Sequence, residues 1–372
     1  MFIIDIIVFL IVLGIVVFVH ELGHFVAAKT SGVKVEEFGI GFPPRLYKKK
    51  IGETEYFIGA IPFGGMTRIY GMDENDLEKD KDSKAYENKS AWKKLWICAG
   101  GIIFNLIFAV FVFYGLVSFS GFKSEQPLIF SGYHFPFGNQ TNEIMIGQVF
   151  PASPAESVGL KTYDVVVAVN GNATVSLEDF QKTILDNKGK EVDLKMKDGR
   201  EVLVTPRVEY SEKEGSLGVG LREVAVLNYS SVPEKIFVGF LHTYNITHYS
   251  LVAMGELISY SVIHKSAQTI AYSLTGPVGI YAITKITLAK GLYDTLNLIA
   301  ILSIALGVSN LLPIPAMDGA KLLYIGLQSA NKKVFSKELQ MKIETFGAFF
   351  LIALALFIVC KDFIQFKDII FK

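Results

Sequence analysis

Residues 2–28 form one apolar run in which Asp5 is the only charged side chain before His20. A helix through this run places His20 about 25 Å along from Ile3, towards the end of a hydrocarbon core about 30 Å thick. The run is read as a retained membrane span. A secretory leader cut near Val26-Ala27-Ala28 would need a positive leading segment, and the first basic residue is Lys29.

His20-Glu21-Leu22-Gly23-His24 stands inside this run. Positions i and i+4 lie about 40° apart around a helix axis, so His20 and His24 share one face and can grip one ion. Glu21 sits beside the pair, where a carboxylate can take a proton from water. Ionisable groups are costly inside a membrane and are functional there by default. The run therefore predicts a metal-assisted hydrolytic site buried near one membrane face, with a third ligand from elsewhere in the chain.

Composition supports a membrane protein and excludes other classes. Half the chain, 51%, is hydrophobic, and the apolar residues fall in blocks. Equal numbers of basic and acidic residues, 36 of each, leave no electrostatic bias towards nucleic acid. Cys98 and Cys360 both lie in apolar runs, where a thiol acts as a small core residue.

Three further spans follow, at Leu95–Phe119, Thr295–Met317 and Thr345–Cys360. In the second, Gly100-Gly101 admits close helix approach, and Asn105 needs a partner in lipid surroundings. The third ends in Asn310-Leu311-Leu312-Pro313-Ile314-Pro315-Ala316-Met317-Asp318-Gly319, a proline-broken end that presents a carboxylate at the membrane edge. The loop before span two reads as short strands at 40–47, 55–61 and 66–70, broken by Gly52 and by Gly64-Gly65. Ile236–Gly255 carries His242, Thr243, Asn245, Thr247 and His248; it is read as an interfacial or amphipathic helix with its histidines on the polar face. Residues 121–230 form an inserted soluble domain, with strand-like segments at 144–149, 165–171, 192–196 and 202–205 and a helix over 176–186.

Span parity constrains the third ligand. With four crossings, spans one and three end on the same side, so His20, His24 and Asp318 lie at one membrane face. A fifth crossing at 236–255 would put Asp318 a bilayer thickness away. Lys29, Lys34, Lys93, Lys94, Lys332, Lys333, Lys337 and Lys342 flank that face, which the positive-inside rule places in the cytoplasm.

The residues also carry a family resemblance. HELGH in span one, AGGIIFN at residues 99–105, Leu274-Thr275-Gly276-Pro277-Val278-Gly279-Ile280, and NLLPIPAMDG at 310–319 resemble the site-2 protease family of intramembrane zinc metalloproteases, most closely its bacterial RseP-type members. The stretch from Pro154 through Asp164 to Asn170-Gly171 resembles a PDZ domain of the circularly permuted bacterial protease type. The expected architecture is a polytopic α-helical membrane protein of four transmembrane helices, with a membrane-associated β-sheet and an inserted PDZ-like α/β domain. Its parts are residues 1–120, the N-terminal membrane half; 121–230, the PDZ-like domain; 231–290, an interfacial helical linker; and 291–372, the C-terminal membrane half.

The resemblance implies one Zn²⁺ held by His20, His24 and Asp318, with Glu21 as general base. It implies that Asn105 and Asn310 lie beside the substrate and that the Gly64-Gly65 segment pairs with an unwound substrate strand. Substrates would be single-span membrane proteins, such as anti-sigma factors or remnant signal peptides, and the PDZ-like domain would take peptide termini. The protein would sit in the bacterial cytoplasmic membrane with that domain on the periplasmic side. The chain departs from the family in Met317-Asp318-Gly319-Ala320 for the usual LDGG, in Gly100-Gly101 for a glycine-proline pair, and in having one PDZ-like unit where some relatives have two. The alternative is a non-proteolytic peptide receptor with a structural metal. Structural zinc is usually closed by four protein ligands, and the sequence offers three. A zinc transporter would need ionisable residues in several spans, and spans two and four lack them.

Overall fold

A computed structural model of the chain describes residues 2–72, 82–173, 176–211, 214–266, 274–330 and 337–370. It falls into two compact units, residues 1–116 with 242–372, and residues 117–241.

The first unit contains α1 (Phe2–Thr30), β1 (Val35–Ile51), β2 (Thr54–Ile69) and most of α2 (Ala91–Phe119). Most of α6 (Val238–Ile263) also belongs to it, followed by α7 (Pro277–Lys290), α8 (Leu292–Leu311), α9 (Asp318–Ala330) and α10 (Lys337–Ile370). Among the described residues four helices are long and apolar enough to cross a membrane: Ile3–Thr30, Ala91–Phe119, Leu292–Leu311 and Glu338–Lys367. The valines and isoleucines of α1 would favour strands in water; in lipid a lone segment satisfies its backbone only as a helix. Val12 and Val16 of α1 pack with Ile299 of α8. A second cluster, including Ala27, Ala28, Val35, Phe38, Ile69, Ile97 and Ile325, joins the end of α1 to the hairpin, α2 and α9.

Several boundaries differ from expectation. The third span stops at Leu311, because Pro313 and Pro315 lack amide hydrogens and bias the residues before them towards extended backbone. Asp318 consequently opens a new helix, α9. The last helix runs 34 residues, well past Thr345–Cys360 at both ends. Gly52 does turn the chain between β1 and β2, with φ +62°, but Gly64-Gly65 does not break a strand and lies inside β2. The β1–β2 register doubles back: Phe38 faces Tyr56 on one side and Thr67 on the other.

Helix α6 reverses its expected polarity. His242, Thr243 and Asn245 are buried, while Phe240, Tyr244, Leu251 and Ile258 are exposed. His242 is not on an outward polar face; its ring stands edge-on to Phe113, centroids 4.7 Å apart. Buried polar side chains must find partners within the protein, so the polar residues of this helix are its packed ones.

The motif at residues 274–280 forms the entry to α7. Gly276 and Gly279 each donate an amide hydrogen bond of 2.8 Å to Oδ2 of Asp362 in α10. The fully buried carboxylate thus caps α7 from another helix, at the terminus where unpaired N–H groups and the helix dipole favour negative charge. Lys361 Nζ lies 2.6 Å from the other oxygen of Asp362.

The second unit is built on a seven-stranded sheet. Its strands are β3 (Lys123–Pro127), β4 (Asn139–Val149), β5 (Val165–Val169), β6 (Asn172–Ala173), β7 (Val192–Met196), β8 (Glu201–Val204) and β9 (Val219–Asn228), in the order β3-β9-β4-β5-β7-β8 with β6 on β5. Between them lie α3 (Pro154–Ser157) and α4 (Leu177–Asp186), and α5 (Val232–Ile236) follows. Ser176 caps α4, its hydroxyl accepting from the Asp179 amide, and Phe180 and Ile184 on that helix join Ile144, Ile146, Val166 and Leu194 in the core.

Candidate active site

The chain brings His20, His24 and Asp318 together across 294 positions. His24 Nε2 lies 3.2 Å from His20 Nε2 and 3.0 Å from Asp318 Oδ2, and His20 Nε2 lies 3.2 Å from the same oxygen. Three ligands on a tetrahedral zinc with bonds of about 2.0–2.1 Å stand roughly 3.3 Å apart, so the triangle fits that ion. Both histidines are buried, at 8% and 9% exposure, and Asp318 is nearly so. No other His, Cys, Asp or Glu among the described residues joins the group, which leaves a coordination position for water or substrate.

Each ligand is placed by its own surroundings. Helix α1 sets the i, i+4 spacing. His24 donates from Nδ1 to the carbonyl of Ile97 at 2.9 Å, which fixes the tautomer that leaves Nε2 free to ligate. Asp318 is the first residue of α9, where the helix dipole favours an anion. The positive charge of Lys321 favours the ionised carboxylate that a metal ligand must be. Gly319 allows this placement, since a Cβ there would come 2.6 Å from the carbonyl carbon of Leu311. Pro315 rests against α10 at Gly347, where a Cβ would meet its carbonyl at 2.9 Å.

Three glycine contacts shape the site. Gly101 faces the imidazoles: a Cβ on it would lie 2.5 Å from His24 Nε2 and 2.6 Å from His20 Cε1. Gly100 and Gly23 let α2 and α1 touch backbone to backbone, a Cβ on Gly100 falling 2.6 Å from the Gly23 carbonyl oxygen. Gly65 of β2 lies against Glu21, with a Cβ only 2.6 Å from its Cγ, and Thr67 donates to the Glu21 carbonyl at 3.0 Å. The β-hairpin thus buttresses the general-base candidate. Gly64, beside it, has φ +88°, open to glycine at little cost.

The two asparagines are placed differently. Asn105 is wholly buried, with its amide 3.4 Å from His20 Nδ1. Asn310 is partly buried and donates to Leu306 O of its own helix at 2.9 Å. Sequence reasoning missed the Ile97 carbonyl, the Thr67 clamp and the contact of Gly101 with the histidines. Only the last had a signal, the paired glycines in an otherwise apolar span.

Known proteins resemble this chain along nearly its whole length. The profile of peptidase family M50 matches residues 8–354, a range that includes His20, His24 and Asp318. A Clostridium perfringens protein named as a zinc metalloprotease is 29% identical over 349 residues, covering 94% of this chain and 95% of that one. A Rickettsia conorii protein named in the same way is 30% identical over 375 residues, covering 95% and 97%. The regulator of sigma-W protease RasP of Bacillus subtilis is 26% identical over 448 residues, covering 97% and 99%. Two histidines in an apolar helix and an aspartate at the start of α9 form a zinc-fitting trio, in a chain matched along nearly its whole length: the protein belongs to peptidase family M50, as a multi-pass membrane zinc metalloendopeptidase of the site-2 type.

Proposed function

We propose that this protease cuts single-span membrane proteins within or beside their transmembrane segments. The observation that carries this reading is the site's position: its two histidines lie in the apolar helix α1, where a bilayer-embedded substrate meets them. Bound by His20, His24 and Asp318, zinc supplies Lewis acidity and lowers the pKa of a water. Glu21 takes the proton from the attacking water and returns it to the leaving amide nitrogen. A helical substrate must unwind first, because its carbonyls are tied up in the i to i−4 ladder. The segment at Gly64-Gly65, against Glu21, holds the unwound chain extended by strand pairing. Asn310 borders the substrate path at the end of α8.

The basic residues at the span ends orient the site end of α1 towards the cytoplasm and the 121–230 domain outwards. We read that domain as PDZ-like. A cavity of about 190 Å³ between α4 and the start of β9, lined by Phe180, Ile184, Leu185, Leu217, Val219 and Leu221, suits an apolar peptide terminus. The name of the RasP relative, a regulator of sigma-W, makes an anti-sigma factor one candidate substrate, beside remnant signal peptides. The test compares membrane proteomes of cells carrying the wild-type enzyme and Glu21→Gln. Single-span stubs should accumulate in the variant alone; identical proteomes overturn the substrate assignment.

A further inference from the structure

His20 gives Nε2 to the ligand triangle, so its ring proton must sit on Nδ1, which then needs an acceptor. His24 meets the same demand with the Ile97 carbonyl. Facing His20 Nδ1 at 3.4 Å is the side-chain nitrogen of Asn105, and two donors cannot bond. In the same arrangement Asn105 Oδ1 is buried with no hydrogen-bond partner among the described residues. A half-turn of the amide exchanges its two ends, which are nearly alike in shape, and replaces the donor–donor contact with a donor–acceptor one. Oδ1 then faces the Nδ1 proton.

We infer that Asn105 is a positioning residue for the zinc centre: its side-chain carbonyl accepts the Nδ1 proton of His20 and locks that imidazole in the ligating tautomer. This rests on the zinc-site reading above and revises the place beside the substrate that the resemblance assigns to Asn105. Complete burial keeps the side chain from substrate. The residue is held from behind as well, since Ser303 Oγ of α8 donates to its backbone carbonyl at 3.0 Å. Gly307 stands close enough that a Cβ there would be 3.6 Å from that of Asn105. Helix α2 thus supplies both imidazole acceptors, one from its backbone at Ile97 and one from a side chain two turns later. Only the second is open to substitution.

The test uses the full-length protein in detergent, with zinc affinity measured by chelator competition and the ligand field read from the visible spectrum of the cobalt-substituted form. Asn105→Ala should weaken zinc binding about 10–100-fold, the usual effect of losing such a partner, and alter the cobalt bands. Asn105→Asp, which keeps an acceptor, should restore both. Wild-type affinity in Asn105→Ala with only a raised KM makes Asn105 a substrate contact and overturns the inference. Should the alanine variant fail to fold, nitrogen-15 NMR of the His20 ring in wild type and Asn105→Asp decides. The Nδ1 proton should move downfield opposite the carboxylate; an unmoved proton overturns the inference. Failure of the wild-type protein to bind one zinc would instead remove the metal-site reading itself.

Discussion

Gly101 and His24 stand so close that a methyl group on the glycine would lie 2.5 Å from the imidazole Nε2, nearer than any non-bonded contact allows. That nitrogen is one corner of the proposed ligand triangle, so a glycine at 101 leaves the room that an ion and its ligands would need. Gly101→Ala should fold, since alanine suits a helix better than glycine, yet lose its zinc and its peptidase activity. Metal analysis of the purified variant, beside circular dichroism, checks this. A zinc-loaded Gly101→Ala enzyme would contradict the geometry.

Gly65→Ala should behave in the opposite way. The added methyl presses on Glu21 Cγ, Val17 Cγ1 and the Gly39 carbonyl oxygen, its three nearest neighbours at 2.6, 3.1 and 3.3 Å, none of them a candidate ligand atom. Displacing a proton-transfer group by about an ångström costs roughly 10²-fold in rate. The expected result is full zinc content with kcat reduced by that order, read from the purified enzyme on a membrane-anchored substrate.

Asp362 should prove structural. Its buried carboxylate accepts from the Gly276 and Gly279 amides and faces Lys361. Breaking such a buried charged network by removing one partner costs about 3–5 kcal/mol. Asp362→Ala should therefore lower the unfolding midpoint in detergent markedly, and Asp362→Asn, which keeps one acceptor oxygen, by less. Equal stability of all three proteins would show that the cap contributes nothing.

What could be read in the chain, and what could not, follows the range of the forces involved. The His20-Glu21-His24 face and the four apolar helices are local features, visible in spacing and hydropathy alone. Asp318, 294 positions along from His24, has no local signal and was reachable only through span parity and the family resemblance. Gly64-Gly65 carried the ordinary signal of a strand break, yet they lie within β2, and position 65 is short of room because a side chain there would collide with Glu21, a tertiary fact. Helix α6 was misread on polarity because the usual pattern assumes water outside, whereas His242 turns inward and Phe240 outward. Strand β9 escaped notice, its apolar alternation being interrupted by Arg222-Glu223, and the cap from Asp362 to α7 leaves no local trace at all.

The joint hold of α1 and α9 on one ion is most directly tested by zinc K-edge X-ray absorption on the purified wild type and Asp318→Ala. The wild type should show zinc with four nitrogen or oxygen neighbours at about 2.0–2.1 Å, two of them imidazoles, and the variant should lose the ion or one protein ligand. An unchanged spectrum in Asp318→Ala, or sulfur in the coordination shell of the wild type, would contradict the account.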